Sequence, residues 1–269
     1  MRTRYLALAV CFASLVCLAQ QSDAPQLTAT ELLSRLRSND GDVRDAALDR
    51  LRSDPAMLNL PVVRSALFDI LDQNNKETDR AMREVEERER RHPTESDGEG
   101  DSEDEFFSWL VDTAASVADW NDPRQVCILV NSGSYLDGHS LEETAFHMKA
   151  AMPCILRRSR SDVNMNRAMA AEMLVRALAK SKSALDPETI QQARQLILSN
   201  LRDPDAGVRS FTVSGLDDAG EPDMIPALAE VARSDPAVEM TLDNKQRYPI
   251  REFAGEAITA IQERSAGKK

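Results

Sequence analysis

The chain has 269 residues, with 45 acidic against 33 basic side chains, a formal charge of −12 and aromatics at only 4%. That balance opposes non-specific nucleic-acid binding, which needs clustered cations, and adsorption to an anionic membrane surface. Ala, Leu, Arg and Glu dominate and β-branched runs are short, which favours helix; no segment alternates with period 2 for long enough to make a strand.

From the start of the chain, residues 1–19 read as a secretory signal peptide. Arg2 and Arg4 supply a positive n-region, Tyr5 to Leu18 is uncharged and mostly apolar, and Cys17-Leu18-Ala19 offers small residues for a cut before Gln20. The apolar run is 14 residues long, short of the ~20 that a spanning helix needs, so no membrane insertion is expected after cleavage. Cys17 follows bulky Val16, which disfavours a lipid-modified cysteine. Cleavage removes two arginines and no acid, which moves the formal charge from −12 to −14. The expected product is exported, periplasmic or secreted, and matures where disulfides persist.

Residues 20–92 hold the N-terminal helix pairs. Thr28 and Glu31 make a capping box for a first helix through about Arg37. The turn Asn39-Asp40-Gly41-Asp42 follows, and Val43 begins the second helix. Leu60–Gln73 pairs with Lys76–Arg91, which is charged nearly all round. There Asp79–Arg83, Glu84–Arg88, Glu86–Arg90 and Glu87–Arg91 sit at i, i+4. Residues 93–105 read as a disordered acidic loop, with seven acids in the eleven residues from Glu95 and no base. The loop fails as an EF-hand, because Ser102 stands where Gly is needed and Ser108 where Glu is needed.

Residues 106–264 read as a continuing array of pairs. Asp104–Trp120 is followed by Pro123–Asn131, Ser140–Arg158 by Asp162–Lys180, and Asp186–Leu201 by Asp205–Leu216. Glu221–Ala232 and Tyr248–Arg264 make the last pair, joined by the long connection Asp235–Arg247. Residues 265–269 read as a frayed tail. The last helix places Ile250, Phe253, Ala254, Ala257, Ile258 and Ile261 on one face, with Arg251 one residue after the first of them. The same pattern starts at Val208, Asn166 and Pro123, stepping back by 42, 42 and 43 residues, and again at Val43; near Ala81 it fails.

A period of ~40–47 residues built on helix pairs marks a HEAT or armadillo-type array. The segments DVRDAALDRL (Asp42–Leu51), DAGVRSFTVSGL (Asp205–Leu216) and PIREFAGEAI (Pro249–Ile258) each resemble the second helix of a HEAT-like repeat. The resemblance implies an all-α fold, a right-handed α-solenoid of about six antiparallel helix pairs. It also implies that the arginines at +1 (Arg44, Arg124, Arg167, Arg209 and Arg251) form a structural ladder, with Asp42, Asp162, Asp203 and Asp205 as available acids. An anion-binding stripe is the other reading of the same arginines. In such arrays the second helices line the concave face. The positions pointing away from the stripe are then Ile128, Leu129 and Ser132; Ala171, Glu172 and Val175; Val213, Ser214 and Asp217; and Gly255, Glu256 and Thr259. They form either a shallow groove for a protein or peptide partner or extra core between adjacent helices.

Nucleophilic catalysis finds no support in the residues, and no cofactor is implied. No Gly-x-Ser-x-Gly setting and no Gly-rich phosphate loop occurs. His139, Glu143, His147 and Cys154 lie within sixteen residues and are all zinc-competent types, yet they make no compact ligand motif. With Cys11 and Cys17 lost to the signal peptide, Cys127 and Cys154 remain, to close a disulfide or to pack as two thiols. The expected function is a non-enzymatic exported scaffold binding a protein partner. The alternatives are a repeat-type enzyme, since some HEAT-like proteins act as chromophore lyases and some helical-repeat relatives act on DNA bases, and a structural element of an envelope assembly.

Overall fold

A computed structural model describes residues 28–91, 104–133, 143–144, 146–241 and 245–267. Within them the protein is all-α, with thirteen α-helices and one two-stranded ladder. Residues 1–19, read as a signal peptide, and residues 93–103, read as part of an acidic loop, lie outside the described residues. Asp104 and Glu105, read as loop, already belong to a helix. Lys268 and Lys269 also lie outside, but the last helix continues through Ala266, so the tail begins later than expected.

The first helices form where their caps dictate. Helix α1 (Ala29–Leu36) carries the capping box: the Thr28 hydroxyl accepts from the Glu31 N–H at 3.3 Å, and the Thr28 N–H donates to the Glu31 carboxylate at 2.9 Å. Helix α2 (Gly41–Arg52) is capped by Asp40 and packs on α1. A short helix that the periodicity does not reveal, α3 (Pro55–Leu58), leads into α4 (Pro61–Arg91).

Helix α4 corrects the expected pair Leu60–Gln73 and Lys76–Arg91. It is a single helix of 31 residues. Residues 72–75 are Asp-Gln-Asn-Asn, polar but without the Gly or Pro that would end a helix. Asn74 and Asn75 are buried instead of marking a turn. The Asn75 amide donates to the Ile128 carbonyl at 2.9 Å and accepts from the Ser132 hydroxyl at 3.0 Å, so its polar atoms have partners.

Helices α5 (Asp104–Ser116), α6 (Pro123–Asn131), α7 (Met148–Arg158), α8 (Asn164–Ser181) and α9 (Pro187–Asn200) follow. The expected start of α7 at Ser140 lies outside the described residues. Asp122 with Pro123, and Asp186 with Pro187, set the starts of α6 and α9 as cap and first-turn residue. The segment Asp205–Leu216 divides at Gly215 into α10 (Ala206–Val213) and α11 (Leu216–Ala219). A Cβ on Gly215 would sit 2.6 Å from a methyl of Val175, so a residue without one is needed for α8 to pass this closely. Helix α12 (Ile225–Ser234) and α13 (Pro249–Ala266) end the chain. Between them β1 (Glu239–Met240) pairs antiparallel with β2 (Gln246–Arg247), too short to leave an alternating pattern in the sequence.

Successive helices pack on one another: α6 on α7, α7 on α8, α8 on α9, and α12 on α13. The helices expected as second members also touch directly, α4 on α6, α8 on α10 and α10 on α13. Two large apolar clusters result. The N-terminal one gathers α1, α2, the first half of α4 and α5, with Leu32, Leu67 and Leu110 at its centre. The C-terminal one gathers α7 to α13, around Ile155, Leu174 and Leu228. Helix α6 serves both, giving Ile128 and Leu129 to the first and Val126 and Val130 to the second.

Candidate functional site

The ladder arginines are engaged, and three of them share one geometry. Arg44, Arg167 and Arg209 each donate from Nη1 to the carbonyl six residues upstream, those of Ser38, Ser161 and Asp203, at 3.3, 3.0 and 2.9 Å. Arg167 binds both Asp203 carboxylate oxygens at 3.1 Å, and Arg209 binds both of Asp235 at 2.6 and 3.1 Å. Arg251 donates to the Asp235 backbone carbonyl at 2.6 Å and lies over the Tyr248 ring. Asp203 and Asp235 are each followed by Pro, and each accepts the N–H two residues on at 2.9 Å. Each takes the arginine of an earlier helix on its carboxylate and that of a following helix on its carbonyl. The chain Arg167–Asp203–Arg209–Asp235–Arg251 is thereby continuous.

Arg124 reaches Asp69 on α4 at 2.6 Å. Of the acids expected as partners, Asp203 is used, Asp205 caps α10, and Asp162 pairs with Arg83 instead. Bonds from the carboxylates raise Arg167 and Arg209 above the ordinary guanidinium value, against the opposing effect of burial. Burial pushes the Asp235 carboxyl up, but the Arg209 bond, the Ala237 N–H and the charge of Arg251 outweigh it and leave it below the usual range.

Arg158 is a different case. It is buried, and Nη1 donates to the Val130 carbonyl at 2.9 Å and to that of Asn131, which closes the C-terminus of α6. Burial pulls its pKa down to about 10, opposed by Asp79, and it stays cationic at neutral pH.

Cys127 and Cys154 form a disulfide between α6 and α7, with their Cα atoms 5.2 Å apart. That bond dissolves the zinc-competent set, since Cys154 has no thiolate to offer. Glu143 and His147 lie 3.9 Å apart, and His139 lies outside the described residues. His147 stacks on Trp120 at 4.4 Å, and burial, partly opposed by Glu143, keeps its pKa below the usual imidazole value. Among the described residues no group of three or more His, Cys, Asp or Glu is placed to hold a metal ion. None of their helices is long and apolar enough to cross a membrane.

The expected concave surface needs correction. Ile128, Leu129, Ala171, Val175 and Val213 are buried, as is Ser132. Each lies on a helix flanked on both sides, so positions that point away from one neighbour are covered by another: Ile128 and Leu129 face the N-terminal cluster, while Val175 and Val213 join the C-terminal one. The other members remain accessible: Glu172 and Gly255 half-buried, Ser214, Asp217, Glu256 and Thr259 exposed. Glu172 and Asp217 line a depression of about 310 Å³ together with Arg176 and Lys180, a mixed-charge surface.

The apolar groove lies elsewhere, on the half of α4 that reads as uniformly charged. Thr78, Ala81, Met82, Val85 and Glu89 recur at 0, +3, +4, +7 and +11 and share one helix face. They form one wall of a groove of about 540 Å³. Met165 and Ala168 at the start of α8, with Gly207 and Phe211 of α10, form the others. Val85 and Met165 are 44% and 42% exposed, two of seven large apolar side chains exposed among the described residues and the two that line this groove. Its charged lining is Glu86, Glu89 and Asp205, with no Lys or Arg among the described lining residues.

The walls are tied together by polar bonds at the α8 N-terminus, whose cap residue, Val163, has no side-chain oxygen to offer. Glu86 accepts from the Asn164 N–H at 2.6 Å and the Met165 N–H at 3.4 Å, serving from α4 as a remote cap. Asp79 accepts from the Asn166 amide at 2.9 Å, and Arg83 pairs with Asp162. Asp79, Arg83 and Glu86, expected to bond along α4, thus reach across to the segment that opens α8. Only the spacing of Ala81, Met82 and Val85 hinted at this groove in the sequence. Compared with known proteins, the chain matches no family model and no curated protein sequence.

Proposed function

We propose that the protein is an exported, non-enzymatic scaffold of HEAT-like helical repeats, a right-handed α-solenoid, which docks a protein partner in the groove between α4, α8 and α10. The repeat reading is supported by the equivalence of the two Asp-Pro turns. Arg167 with Asp203 and Arg209 with Asp235 make the same set of bonds, with the arginines 42 and the aspartates 32 residues apart. Export is supported by the disulfide, which requires an oxidising compartment to persist.

The observation that carries the docking reading is the pair of exposed apolar residues, Val85 and Met165, facing each other across a groove with an apolar floor. Exposed apolar surface gathered into one concave place marks an interaction site more often than scattered single residues do. Repeat arrays offer extended concave surfaces of this kind.

Site-specific photo-crosslinking in the producing cell tests the reading. A photoreactive residue at Met165 should give one adduct of defined size in the exported fraction. The same residue at exposed Glu188 on α9 should not. Equal adducts from both positions, or none from Met165, would reject it.

A further inference from the structure

We infer that the groove's occupant is a basic amphipathic helix of the partner protein, an assignment that rests on the docking reading above. The lining combines apolar side chains with the polar Thr78 and Asn164, and its charged side chains are carboxylates alone: Glu86, Glu89 and Asp205. Two of these are held in place. Glu86 is fixed by the N–H groups that open α8, and Asp205 by the Val208 N–H at 3.0 Å. Fixed negative charge beside an apolar floor favours a ligand with Lys or Arg flanking an apolar stripe. The chain as a whole is acidic, so long-range attraction acts in the same direction.

Helical form follows from the walls. An extended peptide that adds to a sheet edge finds none here, since these walls are helices whose backbone bonds are already made internally, and a helix laid in an apolar groove is the mode that fits them. The α4 face from Thr78 to Glu89 is about 17 Å long at the helical rise, which matches about three turns of a partner helix. Met82 and Met165 face the occupant with flexible thioethers that adapt to different apolar side chains. A second copy of this chain would bring like charge to the rim, and an anionic lipid headgroup would do the same.

The test uses the full exported chain with its disulfide intact and three labelled synthetic helices of one length, read by fluorescence anisotropy. All three carry the same Leu/Ile stripe, and their polar face is Lys, Gln or Glu. The Lys helix should bind at least ~10-fold tighter than the Gln helix and the Glu helix weakest, with the preference shrinking as salt rises. Val85→Ser and Met165→Ser should each weaken the Lys helix by about 10-fold, in line with the loss of one buried apolar side chain. Glu89→Lys should weaken the Lys helix and tighten the Glu helix. All three positions are exposed, so the thermal transition should be unchanged.

A Glu preference, or equal binding of the three helices, overturns the basic helix. Groove-dependent binding of the Gln helix alone does so too, yet leaves the docking reading standing. Binding indifferent to both Val85→Ser and Met165→Ser sinks the docking reading as well, and so does the absence of any binding. Self-association in sedimentation that Met165→Ser abolishes would give the groove to a second copy and overturn the proposal.

Discussion

Asp235 carries two rungs at once, its carboxylate bound by Arg209 and its carbonyl by Arg251. Both members of the Arg209–Asp235 pair are buried, at 7% and 5% exposure. Breaking a buried pair by removing one partner leaves a charge uncompensated and costs about 3–5 kcal/mol. Asp235→Asn should therefore destabilise the protein by roughly 3 kcal/mol at pH 7, read from urea unfolding. The pH dependence has a fixed sign. A carboxyl held low in the folded state contributes its stability above its unfolded value, and loses it as pH falls through the lowered folded value. Wild type and Asp235→Asn should converge in stability below about pH 4, where a gap that stays constant would rule out the pair as the cause. The positions of the ladder arginines were legible because they recur with the apolar period. Their partners were legible only where turn and helix are close in sequence, as for Asp203. Asp235 was hidden because the long connection after it breaks the spacing, and Asp69 because it reaches Arg124 from 55 residues upstream.

At the scale of elements, α4 shows what a helix can conceal. Its absence of breakers was readable, yet the buried Asn74 and Asn75 look like a turn to any rule based on polarity. Replacing Asn75 with Ala would remove two buried hydrogen bonds, although the Ile128 carbonyl keeps the Ser132 N–H and hydroxyl as donors. The expected loss is about 1–3 kcal/mol, while Asn59→Ala on the surface should change little; equal effects would contradict the buried role. The charged half behaves differently, because its anchoring is polar. Glu86→Ala removes the remote cap of α8 and should cost about 1 kcal/mol. Faster amide exchange at Asn164 and Met165, without faster exchange in α1 and α2, would localise the change. The helix breaks elsewhere in the chain were legible where proline sets a first turn. The division at Gly215 was not, because it arises from the close approach of Val175 on another helix.

For the whole molecule, the disulfide closes the chain across the boundary between α6 and α7, with 27 residues of separation. Loop closure of that size restricts the unfolded chain by roughly 3–4 kcal/mol. The Cys127→Ser, Cys154→Ser double variant should lower stability by about that amount in denaturant titration. Adding reductant should do the same to the wild type and nothing further to the variant. The all-α class was legible from composition and from the helical spacing of apolar residues. The groove was not, because three segments of α4, α8 and α10 meet to form it and each shows only a fragment of an apolar face. The sequence left Leu129 and Val213 open between groove and extra core, since a helix's second neighbour is invisible in its own sequence.

The length of α4 has one more consequence. Its first half is rooted in the N-terminal cluster, while its second half supplies one wall of a groove whose other walls belong to the C-terminal part. The groove is thus a gauge of how the two parts are set relative to each other. An occupant that prefers one width selects one setting, and by reciprocity anything that biases the setting alters its affinity by the same factor. Substitutions in the N-terminal cluster, such as Leu67→Ala, touch nothing in the groove yet should change affinity there, with α4 as the lever arm.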